Sequence, residues 1–550
     1  MRQDSIFSRS DSEEKNSFSA LEVKEKTPVL LLLVSIVVAL LFAVPFFYLA
    51  VRNIVNINDL ANIFFSKLTF YPLMKTLYLA CTVSIVASFI GVVLAWITIR
   101  TDVYWGSFWR IVCPLPLVFP SFVVGTTLIS AYSPGGFFEF IFLPLGIEQF
   151  HRLDGYIGSF LVLTFITFPY VYLPVAARFS TLPSSTEEAS RLLGYNSLAT
   201  FKRVTLPQIF PTIRAGTLLI FLYVVSDFGV VQLMGYSTLT TRIFNTRLAD
   251  TELSLALGLV LGIVALLIVL GERFFSKELN LVNDNPAIRP IKLKLGRWQP
   301  IALLTLLITL GAGLFSPIII LFWWAYRGFV NQTAGFATTS DLMTLALPTV
   351  NTVGMSVSAA LATVLLVLPI AFLVTRFRSV LITPINAIIV SGFALPGLVV
   401  ALSIVFLSIN VTGFYFLYQT LPILLLAYII HFGAQAYRTA QVGVLNLDNR
   451  LSEVARTLGT GRLLLLIKIE LPQMLPALAA GGGLVMLSTM KELPATLLAS
   501  PIGFKTLATH IWALNEAGFL ADAGVASLLL VILSAVLTWL VVIRNSTHLR

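Results

Sequence analysis

Charge is scarce in this chain. Asp, Glu, Lys and Arg make up only 11% of its 550 residues, less than half of what soluble domains carry. A water-soluble fold of this size is thereby excluded. Cysteine is scarcer still: Cys81 and Cys113 are the only two, and both lie in apolar runs, where they read as small buried hydrophobes. Two such residues exclude a disulfide framework and a Cys/His metal cluster. The four histidines, His151, His431, His510 and His548, are scattered without ligand spacing. No nucleophile–base constellation accompanies them, which argues against a membrane-embedded enzyme. No Gly-Lys pair occurs anywhere, so the phosphate loop G-x-x-x-x-G-K-[ST] is absent. The chain is expected to have no catalytic residues and no cofactor of its own.

What the chain has in abundance is apolar sequence. Hydrophobic residues make up 57% and the mean hydropathy is +0.91. About twelve apolar runs recur, at 28–50, 76–99, 110–131, 157–177, 206–233, 253–271, 300–325, 352–375, 380–409, 413–437, 471–499 and 523–543. Each is long enough to cross about 30 Å of hydrocarbon. The expected fold is an all-α polytopic membrane protein of about 12 transmembrane helices. Residues 1–27 are polar and mixed in charge, and read as a disordered cytoplasmic tail. The run that follows is too long for a cleaved secretory signal. The formal net charge is +10. If the N-terminus is cytoplasmic, most Lys and Arg fall on the cytoplasmic side, so the excess is a topology signal rather than a sign of nucleic-acid binding. Both termini are then cytoplasmic.

A short polar stretch occurs twice. Glu188, Arg191, Leu193, Gly194, Leu198, Leu206-Pro207-Gln208 and Pro211 recur 265 residues later as Glu453, Arg456, Leu458, Gly459, Leu463, Leu471-Pro472-Gln473 and Pro476. The repeat extends further: Lys75 through Arg100 aligns with Asn351 through Arg376, and Phe119-Pro120 with Leu395-Pro396, at an offset of 276. Six crossings per half return the chain to its starting side, so the halves are parallel repeats. The expected division is a tail, 1–27; a first half, 28–272, with its core at about 75–272; a cytoplasmic linker, 273–299; and a second half, 300–550, with its core at about 351–543. The first half carries a longer loop near 133–156.

Each copy reads as a short polar helix. Ser184-Ser185-Thr186 before Glu187-Glu188 fits a capping box, and Asp448 or Asn449 caps the second copy. Gly194 and Gly459 stand where a left-handed C-terminal turn is expected. Two helical turns are too few to be stable alone and call for packing or a partner. The apolar helix behind each copy is expected to open at Pro207 or Pro472. A push on the short helix would move the membrane helix behind it.

This pattern resembles the EAA loop of ATP-binding-cassette importer permeases, carried here by Glu188-Ala189-Ser190 with Gly194 and by Glu453-Val454-Ala455 with Gly459. The following Val204-Thr205-Leu206-Pro207 and Ile469-Glu470-Leu471-Pro472 match as well. Ser190 and Val454 depart from alanine. The resemblance implies that Glu188, Ala189, Arg191, Gly194, Glu453, Ala455, Arg456 and Gly459 couple the permease to a separate ATPase subunit, two copies of which bind the ATP. It also implies an extracytoplasmic substrate-binding protein as partner. The segments 226–244 and 490–512 are similar to the fused permease of ferric iron importers. Thiamine permeases are fused in the same way, and polyamine, sulfate and phosphonate permeases are further relatives.

Charges inside apolar runs mark functional sites by default, at a cost of at least about 2–3 kcal/mol each. Lys491-Glu492 lies in 471–499, and Glu492 falls on Asp227 at the 265 offset. These three, with Tyr223 and Tyr236 as hard-oxygen candidates, form the expected translocation path for a cation. Alternatively, Lys491 pairs with Glu492 or Asp227 to hold helices together, and the tyrosines are packing residues. Pro494 is expected to break the helix after Glu492. A major-facilitator-like secondary transporter shares the two parallel six-helix halves, but needs no repeated polar helix.

Overall fold

The computed structural model describes residues 28–55, 63, 66–133, 135–146, 153–275, 292–330, 342–377, 379–392 and 395–540. The expected N-terminal tail and most of the linker lie outside these residues. Among the described residues the chain is helical, with one isolated bridge, Thr101 to Leu293.

Helices of the first half are α1 (Val29–Val55), α2 (Lys67–Arg100), α3 (Ser121–Tyr132), α4 (Gly155–Thr181), α5 (Ser184–Leu192), α6 (Ser197–Ser226), α7 (Gly229–Leu233), α8 (Leu239–Thr246) and α9 (Thr251–Phe275). Those of the second half are α10 (Gly296–Val330), α11 (Leu342–Arg376), α12 (Gly397–Asn410), α13 (Leu421–Leu445), α14 (Asn449–Thr457), α15 (Arg462–Met490), α16 (Pro494–Ala499), α17 (Leu507–Glu516) and α18 (Leu520–Thr538).

Nine helices among the described residues are long and apolar enough to cross a membrane, or up to eleven if two bent pairs each count as a span. The run 413–437 is the one that falls short of the sequence reading. Its helix, α13, is 25 residues long but carries His431, Gln435 and Arg438, which dilute its hydropathy. Its beginning is instead a short 3-10 helix, Thr412–Leu417.

The runs 110–131 and 380–409 are broken rather than straight. Gly106–Val118 meets Ser121–Phe142 at 91°, and Ile382–Gly392 meets Gly397–Asn410 at 105°. The hinge is the repeated proline. Pro120 and Pro396 stand just before α3 and α12 with extended backbone, ψ 142° and 140°. Proline has no N–H to bond back and forces its predecessor out of the helical region.

Each half is built around three packed helices, α2, α4 and α6 in the first and α11, α13 and α15 in the second. A hydrogen bond of 2.7 Å between the Ser88 and Thr217 hydroxyls joins α2 to α6. The first helix of each half crosses over. Helix α1 packs on α9 but also on α11 and α12 of the other half, and α10 packs on α18 but also on α3 and α4. The Phe42 side chain of α1 is fully buried, and Tyr48 accepts from Asn410 Nδ2 at 3.1 Å.

Of the two cysteines, Cys113 is buried as expected. Cys81 lies instead on the exposed face of α2, a position that a lipid-facing helix surface leaves open to any small apolar side chain.

Candidate functional site

The two polar helices α5 and α14 span corresponding residues at the 265 offset over their whole length, and both end in the same way. Gly194 N–H donates to Arg191 O at 2.9 Å and Tyr195 N–H to Ser190 O at 3.2 Å; Gly459 N–H donates to Arg456 O and Thr460 N–H to Ala455 O, both at 3.0 Å. The glycines have φ of +84° and +79°. This paired closure needs a left-handed residue, which glycine adopts without a Cβ penalty.

The starts differ from each other, and only that of α14 is capped as expected. Helix α14 begins at Asn449, capped by the Asp448 carboxylate, which accepts from Arg450 N–H at 2.9 Å. The capping box expected for α5 is absent: Pro183 precedes the helix and no side chain caps it. Glu187, which the box would have used, is turned into the protein instead.

Two faces result. Glu188, Ala189, Arg191 and Gly194 are exposed, as are Glu453, Arg456 and Gly459, whereas Ala455 is buried. Alongside the exposed polar residues stand large apolar ones, Leu192 (88% exposed), Leu193, Val454 and Leu458 (80%). Apolar side chains clustered at the tip of a polar helix mark an interaction surface.

The inward faces hold residues that the sequence reading did not single out. Arg100, the last residue of α2, is buried and ion-paired with Glu187 of α5. Thr205 donates its hydroxyl to the other oxygen of Glu187 at 3.0 Å. In the second half Arg376, the last residue of α11, pairs with Glu470 at 2.8 Å, and Ser452 of α14 donates to the same carboxylate at 3.5 Å. These partners are 87 and 94 residues apart, so no local pattern joins them.

The helices that follow do not open at proline. Helices α6 and α15 begin earlier, at Ser197 and Arg462, and run through one π-helical turn each, Phe201–Thr205 and Leu466–Glu470. Pro207 and Pro472 come just after it. The wider turn shifts the hydrogen-bond ladder where proline supplies no donor.

At their far ends both helices stop at the charged positions. Helix α6 ends at Ser226 and α15 at Met490, so the runs 206–233 and 471–499 are each a long helix, a break and a short helix. The break precedes Pro494, which occupies the first turn of α16 rather than causing the interruption. Asp227 Oδ1 accepts from Val230 N–H at 3.1 Å, and Glu492 Oε1 from Ala495 N–H at 3.2 Å. Each carboxylate thus caps the short helix beyond its own break. The two lie within electrostatic reach of each other, and Tyr223 lies near both.

Lys491 pairs with neither. Its Nζ donates to Leu117 O at 2.7 Å, joining the second-half break to the turn that precedes Pro120 in the first half. A Cβ at Gly397, the first residue of α12, would stand 2.6 Å from Glu492 Oε1 and 3.2 Å from His431 Nε2, so only glycine leaves that carboxylate its place. Tyr236 is engaged elsewhere: its hydroxyl donates to Lys75 O at 3.3 Å and its ring lies 5.8 Å from that of Tyr156. Among the described residues no group of three or more His, Cys, Asp or Glu could hold a resident metal.

A family model described as binding-protein-dependent transport system inner membrane component matches residues 87–277 and 368–545. The chain is similar to the Fe(3+)-transport system permease protein FbpB 2 of Haemophilus influenzae, with 31% identity covering 93% of this chain and 97% of that protein. It is also similar, over shorter stretches, to two further permeases. The sulfate transport system permease protein CysT of Salmonella typhimurium is 30% identical over 28% of this chain and 55% of that one. The molybdate/tungstate transport system permease protein WtpB of Pyrococcus furiosus is 23% identical over 36% of this chain and 74% of that one.

Proposed function

The chain belongs to the family of binding-protein-dependent transport system inner membrane components, and from that premise we propose that it is the fused permease of an ATP-binding-cassette importer for ferric iron. Similarity to an Fe(3+) permease over nearly the whole of both chains supports the cargo, whereas the sulfate and molybdate permeases match 28% and 36% of this chain. The observation that carries the coupling role is the pair of matching helices α5 and α14, each presenting a polar outer face tipped by exposed leucines.

In this reading α5 and α14 each dock on one of two ATPase subunits in the cytoplasm, where both termini also lie. The substrate-binding protein delivers iron to the opposite face. Closure of the ATPases moves α5 and α14, and the motion enters the bundle through α6 and α15, which continue from them. These two helices end just before Asp227 and Glu492, so a rotation at their cytoplasmic ends repositions the breaks near the axis between the halves. Carboxylates and the Tyr223 phenol suit a hard, highly charged cation as cargo.

The test is uptake of radiolabelled ferric iron by vesicles containing the chain, its ATPase and its loaded binding protein, with and without ATP. ATP-dependent accumulation is expected. ATP hydrolysis stimulated by the binding protein without iron uptake would retain the importer and move the cargo to another compound, thiamine first. Uptake driven by a proton gradient without ATPase would overturn the proposal.

A further inference from the structure

The two buried ion pairs are built from three positions that correspond between the halves. Arg100 corresponds to Arg376, Glu187 to Ser452 and Thr205 to Glu470. The arginine is the same in both. The acid and the hydroxyl have changed places: the first half has its carboxylate on the short polar helix and a hydroxyl at the end of the π-turn, and the second half has the reverse. Either way one arginine, one carboxylate and one hydroxyl meet where the last turn of α2 or α11 touches the short helix and the helix behind it.

We propose that these are two versions of one latch, through which movement of the coupling helix is passed to α2 and α11, and that its carboxylate can be supplied from either position. The proposal rests on the importer reading above. Three features support it. Neither mismatch has left an unpaired arginine, since the acid missing at Ser452 is regained at Glu470. Both carboxylates are buried, at 7% side-chain exposure each, so neither position is a solvated one at which charge is free to vary. In the first half Arg100 also keeps a buried donor, Nη1, without a hydrogen-bond partner, so its guanidinium has capacity for an acid arriving from position 205.

The two versions differ mechanically. Glu187 ties α5 to α2 directly through an ion pair. Glu470 ties the root of α15 to α11, and its carboxylate reaches α14 through Ser452 at 3.5 Å, a long hydrogen bond. The first-half latch transmits a pull on the short helix itself, and the second-half latch a movement of the helix behind it.

The experiment exchanges the acid within the first half. The wild-type chain, Glu187→Ser, Thr205→Glu and the double variant Glu187→Ser/Thr205→Glu are each reconstituted with the ATPase and binding protein. Iron uptake and binding-protein-stimulated ATP hydrolysis are measured together, so that the ratio of transport to hydrolysis is read as well as each rate. Glu187→Ser leaves Arg100 buried without its acid and is expected to lower uptake per ATP by about tenfold. The double variant, which carries the second-half arrangement in the first half, is expected to recover to within about threefold of wild type, since well-placed buried pairs restore most of what their removal costs.

Two results overturn the proposal: an unchanged ratio in Glu187→Ser, or a double variant as poor as the single one while present in the membrane at wild-type level. If Glu187→Ser does not accumulate in the membrane, the double variant decides alone, with recovery supporting the interchange and loss refuting it. Absence of ATP-dependent uptake in the wild-type chain would instead refute the importer reading and leave the latch to be judged by membrane accumulation and thermal stability of the same four proteins.

Discussion

Arg100 meets an acid carried by α5, and Arg376 meets one carried by the root of α15. The surroundings differ as well: the Arg100 side chain is 4% exposed and that of Arg376 is 22%. Around these pairs nearly everything else repeats, from the helix bounds of α5 and α14 to the glycine closures and the π-turns. Even the threonine links are kept, with Leu239 N–H donating to Thr76 at 2.9 Å and Leu507 N–H to Thr352 at 2.7 Å. The comparison separates what duplication has held fixed, the backbone path, from what it has exchanged, the element that bears the charge.

The sharpest way to break the comparison is to remove the arginines. Arg100→Met strands the Glu187 carboxylate in a buried site, at an expected cost of about 3–5 kcal/mol. Arg376→Met is expected to cost roughly half of that, because nearby water already screens the partly exposed pair. Denaturation of the two variants in mixed micelles measures both, and equal losses would mean that the halves are not differently buried in practice.

Next in size are the glycine closures. Gly194→Val and Gly459→Val each force a β-branched residue to positive φ, a strain of about 1–3 kcal/mol. Both are expected to insert normally and to lower ATP-dependent uptake about tenfold, since that strain equals roughly one decade in a coupling equilibrium. Undiminished uptake in both variants would remove the coupling role.

The paired carboxylates give a smaller effect in each half. Asp227→Asn and Glu492→Gln each remove the charge while keeping a side-chain oxygen that can still accept from the short helix. The double variant is expected to impair iron uptake more than it impairs membrane accumulation; normal uptake would reduce both acids to caps. At the docking surface itself, Leu192→Ser with Leu193→Ser, compared with Leu458→Ser, is expected to weaken ATPase binding by about 1–2 kcal/mol per leucine, read by co-purification of the ATPase at increasing dilution.

Much of this was legible in the sequence. The repeat is explicit in residues 188–211 and 453–476, and the repeated prolines 120 and 396 mark the hinges of the bent spans. The cost of intramembrane charge pointed to Asp227, Lys491 and Glu492, but their partners were not legible. Helix capping is a local preference with many outlets, and Lys491 found its acceptor in a carbonyl 374 residues away. The latches stayed hidden because aligning the halves shows Glu187 against Ser452 and Thr205 against Glu470 as two ordinary mismatches. Only as a pair do they compensate, and only tertiary contact shows that they share one arginine. The expected capping box failed for the same reason, since a buried guanidinium outcompetes an exposed backbone donor for the Glu187 carboxylate.

The crossing of α1 onto the opposite half has a consequence for synthesis. Its partners α11 and α12 begin at Leu342 and Gly397, some 300 residues later, which at about 5–20 residues per second is a delay of roughly 15–60 s. During that time the face bearing Phe42 has only lipid for company. Helix α1 suits such a wait: it is the most apolar of the nine spans among the described residues, and Pro45 is tolerated there as in other membrane helices. The more polar α13, by contrast, leaves the ribosome after α2, α4, α6 and α11 have been made. A helix inserted well before its partners can stand alone in the bilayer, and one that could not comes late enough to find its neighbours in place.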